Sequence, residues 1–246
     1  MALQLIQTGD GSSSLYHSAL DETYHSRHGA IAESKHVFIQ NGLNHRLNQG
    51  QMQPDQGSKQ PNTPEALSIL EMGFGTGLNA LLTFLYLQEV LKNSPSAVVP
   101  CSIPMIQYQS LDAYPLKPEI YESLDYASQL GCDKDAFLAL HRAPWEQPVA
   151  VGYGFELLKK AMRFEDFNAP PSFDLVYYDA FGARVQPELW EMERFSSLFQ
   201  ALNPGGVFVT YAAKGSVRRA LQEVGFVVER LPGPPGKREM LRGTKN

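Results

Sequence analysis

The chain has little of what a secreted, membrane-spanning or metal-bound protein needs. Two cysteines, Cys101 and Cys132, in 246 residues are too few for a disulfide framework or a cysteine zinc site. No apolar run approaches the roughly 20 residues needed to span a bilayer. The N-terminus, MALQLIQTGDGSSS, lacks the basic start and long apolar stretch of a secretory signal. No P-loop and no G-x-S-x-G elbow occurs. Six histidines include His25-x-x-His28, but no third-ligand pattern accompanies the pair, so no metal is expected. The expectation is a soluble, cytoplasmic protein with no membrane partner.

What is present is an ordinary globular composition, 43% hydrophobic and 19% charged, which excludes overall disorder. The length fits one large α/β domain with a small appendage. The net charge of −5 argues against a nucleic-acid partner, but its distribution is uneven. From Lys214 onward, eight basic residues face three acidic ones, so this tail carries +5 and the rest −10. A basic cluster by itself is only a solvated face.

Residues 1–48 contain the short alternating segments SSLYHSAL and KHVFIQNGL, which predict a small β-rich extension. Residues 49–64 are rich in Gln, Gly and Pro, the composition of a polar loop. The main domain is then expected over 65–246. It alternates strands (66–72, IPMIQYQSL, the centre of GYGFELLKKAMRF, SFDLVYYDAF, VFVTYAA) with helices (77–92, 118–130, 187–202, 215–224). Alternation of this kind builds a mostly parallel sheet covered on both faces. The last two strands, FVVERL and REMLRG, are joined by a short Pro/Gly turn and must pair antiparallel. A parallel sheet ending in an antiparallel hairpin is the shape of the class I methyltransferases that use S-adenosyl-L-methionine, a Rossmann-like α/β fold.

The stretch LSILEMGFGTGLNALLTFL carries Gly73, Gly75 and Gly77 behind Glu71. The dinucleotide fingerprint G-x-G-x-x-G needs a third glycine where Leu78 stands. A cofactor without phosphate needs no helix N-terminus aimed at an anion; it needs close backbone approach and carboxylates for an ammonium and ribose hydroxyls. Glu71 is one such carboxylate. Asp112, at the end of the next strand, is expected at the ribose. Asp166 in MRFEDF is a candidate for the adenine edge. Asp179 closes the strand FDLVYYD at the carboxyl end, where ligands bind in open α/β sheets. There it can hold an amine and take up a proton.

Four stretches, LEMGFGTGLNALL, YYDAFGARVQPELW, LNPGGVFVTYAAKGSVRRALQEVGF and GPPGKREMLRG, together resemble the methyltransferase family of the tRNA wobble-uridine enzyme MnmC and its standalone form MnmD. The N-terminal LDETYHSRHGAIAESKHVFIQNGL is similar to the same family. The resemblance implies S-adenosyl-L-methionine-dependent methylation of the 5-aminomethyl group on (2-thio)uridine 34 in the tRNA anticodon stem-loop. It implies cofactor contacts at Glu71, Gly73, Gly75, Gly77 and Asp112, with Tyr24 and Glu33 closing over the cofactor. Asp179 is implied as the catalytic residue and Phe181 at the substrate pocket. Arg218, Arg219, Lys237 and Arg238 are expected to lie toward substrate. The family's D-G-F-A-P loop reads DAFGARVQPELW here, so its geometry is open. No FAD-dependent oxidase domain is expected in this chain, so a separate enzyme is expected to supply the aminomethyl substrate. The competing readings are methyl transfer to another amine and a non-catalytic RNA-binding module.

Overall fold

The computed structural model describes residues 3–52, 66–93 and 104–246. Strands β1 (Leu3–Gln7), β2 (Ser13–His17) and β3 (Glu22–Thr23) form a small antiparallel sheet. A continuous helical stretch follows, with α1 (Ala30–Ser34), a wide π-helical segment (Lys35–Asn44) and α2 (His45–Met52). The main domain then runs through β4 (Ala66–Met72), α3 (Leu78–Asn93), β5 (Met105–Leu111), α4 (Pro118–Tyr121), α5 (Tyr126–Leu130) and α6 (Lys134–Arg142). Its second half comprises β6 (Pro148–Gly152), β7 (Phe155–Lys160), β8 (Phe173–Tyr178), α7 (Met192–Ala201), β9 (Leu202–Thr210), α8 (Gly215–Glu223), β10 (Val227–Pro232) and β11 (Glu239–Thr244).

Eight strands form one sheet in the order β10-β11-β9-β8-β4-β5-β7-β6. The five inner strands from β9 to β7 pair in parallel. β11 runs antiparallel to both β9 and β10, closing the sheet as the short PGPPGK turn requires. The chain leaves β4 toward β5 on one side and returns to β8 on the other. Strand order therefore reverses between β4 and β8, and an open α/β sheet binds its ligands outside the carboxyl ends at such a point.

The N-terminal region departs from the β-rich expectation. KHVFIQNGL is helical, and Val37, Phe38, Ile39 and Leu43 are buried on the sheet. Phe38 packs on Tyr177 of β8, with ring centroids 5.1 Å apart. Gly42 permits this approach, because a Cβ there would meet Val209 Cγ2 at 3.1 Å and Tyr177 Cε1 at 3.2 Å. Residues 37–43 therefore pack on one face of the main sheet. Tertiary burial overrides the local strand preference of Val, Phe and Ile. Of the expected polar loop, 49–52 end α2, and 53–64 lie outside the described residues.

Other differences are smaller. The helix expected over 118–130 is broken into α4 and α5, and the irregular stretch beyond it holds α6 and the strand β6, which pairs antiparallel with β7. The segment from Pro187 begins as a 3₁₀ turn to Trp190 before α7 starts at Met192. NPGG, expected as a turn, lies within β9, where the register against β8 shifts. Gly225 ends α8 as expected, at φ 111°.

Candidate active site

A cavity of about 260 Å³ opens at the carboxyl ends of β4, β5 and β8. Its floor is the turn after β4. Gly73, Gly75 and Gly77 all have positive φ (105°, 46° and 72°), backbone that side chains with a Cβ rarely adopt. The turn is held from both sides. The Gly73 N–H donates to the Leu111 carbonyl at 3.0 Å. Asp112 Oδ2 accepts from the Gly75 N–H at 2.9 Å, and its Oδ1 accepts from the Tyr114 N–H at 2.8 Å. Burial pushes the Asp112 carboxyl above its usual range, and the two backbone donors pull it back.

Tyr24 forms the lid. A Cβ on Gly75 would meet its ring at 3.2 Å, and its edge packs on Phe181 with centroids 5.0 Å apart. Burial, with a smaller push from the Asp112 charge, raises the Tyr24 phenol to about 12. His25 also lines the cavity and shares a 2.7 Å hydrogen bond with Thr76 Oγ1. Burial drops its imidazole to about 4, so the ring is neutral near pH 7.

Asp179 ends β8 on the far wall. Its N–H donates to the Met72 carbonyl at 3.2 Å, and its Oδ2 accepts from Asn79 Nδ2 at 2.8 Å. Its carboxyl is pushed up to about 7, first by burial and then by the neighbouring Glu33 charge; the Asn79 hydrogen bond and Lys237 act in the opposite sense. Two further bonds fix the loop beyond it. Tyr211 O–H donates to the Ala180 carbonyl at 2.7 Å, and Trp190 Nε1–H donates to the Phe181 carbonyl at 2.7 Å.

A second, more open cleft of about 550 Å³ lies on the other side of this loop. Gly182, Tyr211 and the basic residues Arg184, Lys214, Lys237 and Arg238 line it. Arg184 also pins the loop to the N-terminal hairpin, donating to the Asp21 carbonyl at 2.5 Å and to Glu22 Oε2 at 3.2 Å. The first cavity and this basic cleft thus meet at residues 179–182.

The profile of the S-adenosyl-L-methionine-dependent methyltransferase family matches residues 156–246. Across 236 residues the chain is 31% identical to the tRNA 5-methylaminomethyl-2-thiouridine biosynthesis bifunctional protein MnmC of Stutzerimonas stutzeri, covering 90% of this chain and 32% of that one. The namesake from Nitrosospira multiformis is 31% identical over 238 residues, covering 93% of this chain and 35% of its own. Among solved structures, MnmC2 from Aquifex aeolicus superposes with a TM-score of 0.70 at 24% identity, covering 98% of this chain and 70% of that one. Over nine-tenths of its length the chain is similar to the MnmC proteins. It spans about a third of the length of the curated relatives it matches.

The cavity fits S-adenosyl-L-methionine, the cofactor named by the family profile that matches residues 156–246. The turn presents bare backbone where a Cβ would strike Tyr24, and Asp112 keeps lone pairs free of its two backbone donors for hydroxyl groups. Of the residues expected at the cofactor, Tyr24, Gly73, Gly75 and Asp112 line the cavity and Gly77 does not; Asp179, expected as the catalytic residue, and Phe181, expected at the substrate pocket, line it too. Three other expectations are corrected. Glu71 is fully buried beneath the turn, accepting from Ser110 Oγ–H at 2.7 Å, and does not line the cavity. Asp166 is exposed on a 3₁₀ turn, while its neighbours Arg163, Phe164 and Glu165 form the wall. Glu33 is buried against Lys237, in an ion pair, and takes the Ser26 N–H at 3.0 Å. It does not line the cavity.

On the substrate side, Lys237 and Arg238 line the second cleft, whereas Arg218 and Arg219 do not. Arg219 is exposed on α8, and Arg218 is half-buried with its Nε unpartnered. Sequence reasoning missed the brace behind the turn. His141 Nε2–H donates to the Thr76 carbonyl at 3.0 Å, and the buried Lys159 donates to the His141 carbonyl at 2.6 Å. Lys159 sits 5.0 Å from the Phe74 ring centroid and 4.8 Å from that of Trp145, a cation–π enclosure. Nothing local marks these residues, since α6 and the 145 region are distant in sequence from the turn.

The Glu33 charge gives a testable pH effect. A carboxylate whose pKa is raised accepts a proton only above that value, so a step using Asp179 as acceptor speeds up as pH rises through about 7. Glu33→Gln removes a negative neighbour and leaves the Lys237 cation unpaired, so both changes lower the Asp179 pKa. The acidic limb of the kcat profile is expected to move to lower pH. An unmoved limb would show that Glu33 does not tune this carboxylate.

Proposed function

We propose that this domain methylates the 5-aminomethyl group of (2-thio)uridine at the wobble position of tRNA, giving 5-methylaminomethyl-(2-thio)uridine. The observation that carries the reading is Asp179, which lines the first cavity three residues before Gly182 of the basic cleft. The names of the curated relatives, which match across nine-tenths of this chain, support the same chemistry.

Asp112, the glycine turn and Tyr24 hold the cofactor in this reading, and Phe181 separates it from the cleft. When bound, the cofactor supplies a methyl group on a positively charged sulfur. That methyl would pass to the lone pair of the substrate nitrogen, with the electron pair of the carbon–sulfur bond left on sulfur. The amine must arrive neutral, although free alkylamines are mostly protonated near pH 7. Asp179 accepts a hydrogen bond from the amine, aims its lone pair and takes the proton shed by the product ammonium. Positioning supplies most of the acceleration. Lys214, Arg184 and Arg238 meet phosphates of the anticodon stem-loop, and the wobble base is splayed out of its stack to enter. The reaction takes place in the cytoplasm, and a separate enzyme supplies the aminomethyl nucleoside.

Incubating the protein with labelled S-adenosyl-L-methionine and tRNA from cells blocked at the aminomethyl stage is expected to label nucleoside 34. Absence of label there, with cofactor binding intact, would sink the proposal.

A further inference from the structure

Among the described residues, three buried polar atoms around the glycine turn have no hydrogen-bond partner: Glu71 Oε1, Asn79 Oδ1 and the Tyr108 hydroxyl. Buried polar groups are almost always paired, so three orphans in one place need an account. They are neighbours. The Asn79 amide and the Tyr108 hydroxyl both lie against the Glu71 carboxyl, and the other Glu71 oxygen takes the Ser110 hydroxyl at 2.7 Å. On its far side, Asn79 gives its NH₂ to Asp179 Oδ2 at 2.8 Å.

A carboxamide has one donor end and one acceptor end. With the NH₂ committed to Asp179, Asn79 Oδ1 needs a donor, and an ionised Glu71 has none to offer. The Tyr108 O–H can donate to Oε1 in either charge state, and a single proton on Oε1 removes the remaining deficit by donating to Asn79 Oδ1. It also spares the protein a second buried anion beside Asp179, which is costly without a counter-charge. Burial, with a smaller contribution from the Asp179 charge, pushes the Glu71 carboxyl up to about 8, in the same sense.

We propose that Glu71, Asn79 and Asp179 form one hydrogen-bonded relay in which Glu71, carrying its proton, fixes the Asn79 amide so that its NH₂ faces the Asp179 carboxylate. Glu71 is thus a positioning residue for the proton acceptor and not a cofactor ligand. The assignment of Asp179 as acceptor rests on the proposed methyl transfer; the proton on Glu71 does not.

The test separates the two. Glutamine at 71 keeps a donor for Asn79 Oδ1 and an acceptor for Ser110, while leucine keeps neither. Glu71→Gln is expected to retain kcat within about threefold, and Glu71→Leu to lose about tenfold or more. Both are expected to bind S-adenosyl-L-methionine within about threefold of the parent, since neither touches the cavity. Glu71→Leu combined with Asn79→Leu should be no slower than Asn79→Leu alone, because residues in one network are not additive. In an Asp179→Asn background, infrared spectra at pH 7 should show a protonated carboxyl band that vanishes on adding Glu71→Gln. That readout needs no tRNA, so a protein that shows the band but labels no nucleoside refutes the proposed reaction and supports the relay. Equal loss of cofactor affinity in Glu71→Gln and Glu71→Leu, or absence of the band, would overturn it.

Discussion

Asp179→Asn is expected to cut turnover by about 10²- to 10⁴-fold, the usual worth of a positioned proton acceptor, while cofactor affinity stays close to that of the parent. The substitution is chosen for its shape. The Asn79 NH₂ now bonded to Asp179 Oδ2 meets an amide oxygen in the same place. The Met72–Asp179 backbone bond is untouched. What disappears is the ability to take a proton near neutrality. Stability should not suffer. A carboxyl pushed up to about 7 when folded binds more protons in the native than in the unfolded chain between about pH 4 and 7. Its contribution therefore declines as pH rises through that window, and the neutral amide removes the decline. Thermal unfolding at pH 8 should show a midpoint equal to or above that of the parent. A variant with near-normal turnover on aminomethyl tRNA would remove Asp179 from the chemistry.

Asp112→Ala is expected to act on the other half of the reaction. Asp112 accepts from Gly75 and Tyr114 and so fixes two strand-end segments of the cavity wall together. Hydrogen bonds to a charged group are each worth about 1.5–3 kcal/mol, so losing both the wall and the hydroxyl acceptor should weaken S-adenosyl-L-methionine binding by about 10- to 100-fold. Turnover at saturating cofactor should fall far less, because Asp112 touches nothing on the Asp179 side. Calorimetric titration and steady-state kinetics separate the two effects. If Asp112→Ala and Asp179→Asn show the same split, the division of roles between the two carboxylates is wrong.

The local features of the site were legible in the chain. A buried strand, alternate glycines and an apolar helix announce a β–turn–α unit because strand period, helix period and positive φ are properties of neighbouring residues. Asp112 and Asp179 were readable because each ends an apolar strand, and the strand ends of a parallel sheet share one edge. The short Pro/Gly turn near the C-terminus dictated an antiparallel hairpin. The N-terminal helix was not readable: Val37, Phe38 and Ile39 suit a strand as well as a buried helix, and the choice came from the face of Tyr177 and Val209 waiting opposite Gly42.

The sheet, the glycine turn and the strands that end in carboxylates follow from neighbouring residues, since each depends on short-range backbone geometry. Only the tertiary structure decided which carboxylates reach the cavity. Glu71 and Asp112 look equivalent in the chain, yet one is sealed under the turn by Ser110 and Asn79 while the other faces the cavity. Lys237, expected at substrate, lines the second cleft while paired with Glu33, 204 residues away, beside Asp179. The reason is physical: burial and charge at a site are set by whatever packs against it, and in this protein those neighbours come from both ends of the chain.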